Sequence, residues 1–264
     1  MDRSFFKKRL ATALTSLCLC CGARAFAGTP YTAPPTDTTV LRGIDFSRAQ
    51  VILPELTARF AACDAQEPPG CKVDPSRNTV ILQFPDGPVF YDAKMAIDAD
   101  GSTLSKLAER PNQPETALRY PVSDLSLDSE RVPYIVLPIG DLRRTVGLGT
   151  GDLAAVIKDG RLQFAIVGDV GPPPKIGEGS LKLHANLGHN TCTAFDAGGN
   201  CSQFTDVSID PPVLYFVFPN TRRLIYDGLT PENVNERIAT LGREVWTAFL
   251  KQQQTNTKTE PEEN

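Results

Sequence analysis

Short apolar runs, broken by Pro, Gly and Asp, recur through the middle of the chain. "TVILQF" (79–84), "YIVLPI" (134–139), "DLAAVIKDG" (152–160), "LQFAIVGD" (162–169), "SLKLH" (180–184) and "PVLYFVF" (212–218) have the length and the β-branched or aromatic content of strands. The pair around Asp159-Gly160 reads as a hairpin. "LPELTARFAAC" (53–63) suits a short helix. One long helix is expected near the end. Thr230 is its N-cap, Pro231 its first residue and Glu232 an acid in its first turn. Val234, Ile238, Leu241, Val245 and Phe249 then recur at helical spacing, with Trp246, the one tryptophan, beside them as a core or docking residue. The pattern predicts a mainly β domain over 42–229 with a C-terminal helix at 230–253. "GTPYTAPPTDTTVL" (28–41) reads as a flexible leader, and the polar end, 254–264, as a disordered tail.

Residues 1–27 change the picture of the whole chain. A basic start (Arg3, Lys7, Lys8, Arg9), an apolar stretch and an A-x-A site at Ala25-Phe26-Ala27 read as a secretory signal. No other segment is long enough to span a membrane. Taking away five of the 27 basic and one of the 31 acidic residues leaves 22 and 30, a net charge of −8. Such a chain is a poor nucleic-acid ligand and tolerates a cationic substrate. A secreted or periplasmic monomer is expected.

Three of the seven cysteines fall in that signal. The remaining Cys63, Cys71, Cys192 and Cys201 suit two disulfides in an exported protein; three connectivities are possible, and the local pairs are the simplest. With two histidines and no paired C-x-x-C, neither a metal nor a cofactor is expected.

Candidate chemistry centres on "FAIVGDVGPPPKIGEGSLKLH" (164–184). Asp169 lies at a strand end and Glu178 nine residues on, with Gly168, Gly171, Gly177 and Gly179 beside them and three prolines between. Bare, stiff flanks let a bulky ligand approach the backbone, and two carboxyl groups across a scissile bond are what glycoside hydrolysis commonly uses. Taken as a strand, "EGSLKLH" puts Glu178, Ser180, Lys182 and His184 on one face and Leu181 and Leu183 on the other. In "IDADG", Asp98 and Asp100 suit a turn or a subsite that binds amino sugars through carboxylates; D-x-D-G also occurs in calcium loops, but the rest of such a loop is missing. Asp98, Asp100, Lys182 and His184 are thus the candidate substrate-binding residues.

Several ordered segments resemble the chitosanases of glycoside hydrolase family 75. Gly168-Asp169-Val170-Gly171 matches the G-D-x-G of that family's signature, and Gly177-Glu178-Gly179-Ser180 its G-E-A-S, with Gly179 in place of Ala. "YDAKMAIDADG" (91–101), "RVPYIVLP" (131–138) and "VLYFVFP" (213–219) are similar to further family segments in the same order. The resemblance covers roughly residues 85 to 220. It implies an endo-acting, inverting hydrolase of β-1,4-linked glucosamine in chitosan, with Asp169 and Glu178 in catalysis. By role, Glu178 is assigned as general acid and Asp169 as base, the reverse order staying open. A G-D-x-G loop between strands is also similar to that of double-psi barrels, so by analogy the core is expected to be a compact barrel of that kind. Departures are a short, proline-rich loop between the acids, the C-terminal helix, and the elaborated "HANLGHNTCTAFDAGGNC". The alternatives are a wall hydrolase acting on peptidoglycan, and a glycan-binding envelope protein without activity.

Overall fold

The computed structural model describes residues 31, 37–56, 80–85, 87–103, 115–173, 176–205 and 208–257. The expected signal, Cys63, Cys71 and residues 258–264 of the tail expected at 254–264 lie outside them, as does most of the helix expected at 53–63, of which 54–56 is helical. Residues 254–257 are helical rather than tail, and the end of the expected leader, 37–41, forms turns with Asp37 and Leu41 buried. The apolar runs form strands β1 (Gln50–Val51), β2 (Ile81–Gln83), β3 (Val89–Asp98), β4 (Tyr134–Pro138), β5 (Leu153–Lys158), β6 (Arg161–Gly171), β7 (Glu178–Ser180), β8 (Cys192–Phe195), β9 (Cys201–Phe204) and β10 (Ile209–Phe218). Helices are α1 (Asp141–Val146), α2 (Leu181–Asn186), α3 (Arg222–Ile225) and α4 (Val234–Thr257).

Six strands close into a barrel in the order β3-β10-β5-β6-β4-β7 and back to β3. Two of its pairings, β3–β7 and β4–β6, are parallel and the rest antiparallel. Closure satisfies edge groups that an open sheet would leave bare. Alternation then sorts the side chains. Tyr91, Met95, Ile135, Leu137, Val156, Val167, Tyr215 and Val217 meet in one cluster inside the ring. Part of the outer face is covered by α4. Val234 and Ile238 of its first half lie in one apolar cluster with Ile166 of β6, while Trp246 and Phe249 of its second half lie in another with Phe84, Phe90 and Phe216. Trp246 is therefore core, in edge contact with Phe216 at 5.1 Å between ring centres. Helix and barrel approach closely at Gly242, where a Cβ would stand 2.7 Å from that of Phe164.

The hairpin at Asp159-Gly160 forms as its turn residues require, both at positive φ. One expected strand is a helix. β7 stops at Ser180, whose side chain accepts from Leu183 N–H and caps α2. The alternation in "SLKLH" also fits one helical turn, and a capping serine decides between them. Conversely, the ten residues of β3 were hidden by charges. Asp92 and Lys94 point away from the barrel interior and are nonetheless buried, Asp92 accepting from Tyr31 Oη–H at 2.7 Å.

Candidate active site

Asp169 owes its direction to a bulge. Along the parallel β4–β6 pair the register steps from Ile135↔Val167 to Val136↔Asp169, leaving Gly168 without a partner. Val167 points into the barrel. Simple alternation would send Asp169 the same way, but the extra residue turns it to the outer face with Val136. Only glycine fits at the bulge, since a Cβ there would lie 2.6 Å from Tyr134 Cβ. On the other side of β4, Glu178 pairs with the same Val136. The two acids therefore flank one residue and emerge on one face, from strands two apart. Glu178 leans back across β4: its Oε2 is 3.1 Å from where a Gly171 Cβ would stand, and that point is 3.2 Å from Val136 Cγ1.

Asp98 reaches the same face from β3, in register with Ser180 of β7. Asp98, Asp100 and Asp169 each bring a carboxylate oxygen within 4.8 Å of the others. The backbone fixes all three. Asp169 Oδ1 accepts from Ala117 N–H (2.9 Å) and Val170 N–H (2.8 Å). Asp98 Oδ1 accepts from Asp100 N–H at 2.9 Å. The carbonyl of Asp98 accepts from Ser129 Oγ–H at 2.5 Å, and that of Asp100 from Tyr134 Oη–H at 3.0 Å. Burial, then the charges of Asp169 and Asp100, push Asp98 well above the usual carboxylate range. Burial also raises Asp169, against the pull of the Ala117 and Val170 N–H groups and a side-chain hydrogen bond with Asp100. The oxygen donors of the trio are of the type that hard cations take.

Lys182 and His184 do not join this face. The alternation that would set them beside Glu178 ends at Ser180, and both lie on α2. His184 is fully buried with Nε2 3.2 Å from the Ala96 carbonyl, a packing position. Lys182 lines a separate cavity with Glu130 and Arg131. Cys192 and Cys201 form a disulfide that closes the β8–β9 hairpin. Val136, Ala117 and Ser129, which set the geometry of the acids, carried no sequence signal of their own. Gly168 did: an isolated glycine inside a strand pattern marks a bulge.

A family model described as fungal chitosanase of glycosyl hydrolase group 75 matches residues 95–241, from the end of β3 into α4. The match spans Asp98, Asp100, Asp169 and Glu178. No curated protein matches the chain.

Proposed function

The chain belongs to the chitosanase family of glycosyl hydrolase group 75, and on that premise we propose that it cleaves β-1,4 bonds inside chitosan with inversion, using Glu178 as general acid and Asp169 as general base. The observation that carries this reading is the shared pairing with Val136, which puts both carboxyl groups on one face. Two strand spacings separate their backbones by about 9.6 Å. Glu178 leans towards Gly171, two residues along β6 from Asp169. An inverting pair holds its carboxyl groups about 6.5–9.5 Å apart with water between them, a span that side chains on one face of strands two apart can bridge.

Each group then has a task. Glu178 gives its proton to the departing glycosidic oxygen. Asp169, oriented by two backbone N–H groups, draws a proton from water on the opposite side of the ring. Asp98 and Asp100 add negative potential that favours the ammonium group of a glucosamine unit at the cleavage point. The N-terminal signal pattern supports export, and a disulfide suits an oxidising compartment. The protein acts as a monomer in this reading.

Reducing-sugar release from highly deacetylated chitosan tests it. Glu178→Gln and Asp169→Asn are each expected to lose about 10²–10⁴-fold in kcat, the usual worth of a general acid or base, with unchanged circular dichroism. Clearing of purified sacculi with no action on chitosan would move the substrate to peptidoglycan. Full activity in Glu178→Gln would remove it from the mechanism.

A further inference from the structure

The elaborated segment after α2 builds a second concavity close to the acids. The β8–β9 hairpin, stapled by Cys192–Cys201, stands against α2 and the turn at Glu130-Arg131 and encloses a cavity of about 220 Å³. Ser129 ties it to the candidate active site: Ser129 Oγ donates to the Asp98 carbonyl and accepts from Leu181 N–H at 3.0 Å. Glu130 and Lys182 of the lining thus lie one residue from each of those anchors.

Its chemistry differs from that of the acid cluster. Phe195 lines it while 62% exposed, an aromatic face left in water at the mouth of a cavity. Glu130 Oε2 accepts from Cys201 N–H at 2.5 Å, but Oε1 is buried with no hydrogen-bond partner. A buried acceptor in that state calls for a donor from water or a ligand. Arg131 is paired with Asp128 and donates to Asn200 Oδ1. Lys182 has no ion pair among the described residues. Glu130 and Lys182 therefore balance, and no excess negative charge is left to hold an ammonium group. The amide of Asn200 is engaged with Arg131 and Asp196 and Asn190 Oδ1 with Cys192 N–H, so the groups left to a ligand are the Phe195 ring, Glu130 Oε1 and Lys182; an aromatic platform, a buried acceptor and no net charge fit a neutral hydroxyl- and amide-bearing ring.

We propose that this cavity is an accessory subsite that takes an N-acetylated hexosamine unit of the same glycan chain whose glucosamine linkage is cut at the acids. The inference rests on the function proposed above. It makes the enzyme select partially acetylated chitosan, with an acetylated unit held by the hairpin and a free amino sugar at Asp169 and Glu178.

Two measurements test it. In the first, KM is compared on half-acetylated and fully deacetylated chitosan for the wild type and Phe195→Ala. The wild type is expected to show the lower KM on the half-acetylated polymer. Phe195→Ala should raise that KM between about twofold and tenfold, the worth of one stacking contact, with kcat and the deacetylated KM unchanged. Equal effects on both polymers, or none, overturn the proposal while the activity stands. The second is an NMR titration of the Glu178→Gln protein with tri-N-acetylchitotriose, and it needs no turnover. Shifts at Phe195, Asn190 and Lys182, lost in the Phe195→Ala background, support the subsite even if the wild type cuts neither polymer. Shifts confined to Asp98 and Asp169, or no shifts, overturn it and leave Glu130 Oε1 to water.

Discussion

Ionising Asp98 costs the folded chain more than the unfolded one, because burial and the charges of Asp169 and Asp100 oppose it. A carboxyl raised above its ordinary value of 3.8 favours folding fully below that pH, and the contribution is lost as pH rises through the folded value. Asp98→Asn keeps an oxygen for Asp100 N–H and removes the charge. Thermal unfolding at pH 7 is expected to show a gain of about 2–4 °C, the shift that roughly 1 kcal/mol gives in a domain of this size. The gain should shrink towards zero below pH 4, while turnover falls. A Tm difference independent of pH would mean that Asp98 is not held against its charge. Such a stability cost at the site is what a functional cluster exhibits. Asp169 and Glu178 could be picked out from their motif, but their relation could not. It depends on a bulge at Gly168 and on Val136, 33 residues before Asp169, standing between them.

Among the elements, the body of α4 was the most legible, because five apolar residues keep helical phase over sixteen positions and the barrel demands that face; its start was not, since Thr230, Pro231 and Glu232 lie in a turn before the helix begins at Val234. Its close approach to β6 was not legible. Gly242 reads as a weak point in the helix, yet it is where α4 meets Phe164. Gly242→Ala should therefore reverse the usual sign. Alanine gains about 1 kcal/mol in helix propensity, but the clash with Phe164 Cβ costs about 1–3 kcal/mol. Denaturant unfolding is expected to show net destabilisation of about 1 kcal/mol; a stabilised variant would mean that helix and strand are free to separate. α2 shows the opposite failure of sequence reading. Over five residues a strand and a capped turn look alike, and the choice rests on one hydrogen bond from Leu183 N–H to Ser180.

At the scale of the molecule, the barrel gathers acids from distant parts of the chain. The parallel pairing of β3 with β7 sets Asp98 beside Ser180, and that of β4 with β6 fixes Asp169. The β character of the chain followed from its apolar runs, but closure did not, since no local pattern reports which strands lie side by side. The same closure sets Asp169 and Glu178 on one outer stretch of the wall, while α4 covers another with Trp246 and Phe249. The central claim is that Asp169 and Glu178 act across that face as an inverting pair. Early-time proton NMR of chitosan hydrolysis tests it most directly, run on the wild type beside Glu178→Gln and Asp169→Asn. The account predicts that new reducing ends appear first as the α-anomer and that both variants produce almost none. A β-anomer appearing first, or wild-type rates in either variant, would contradict it.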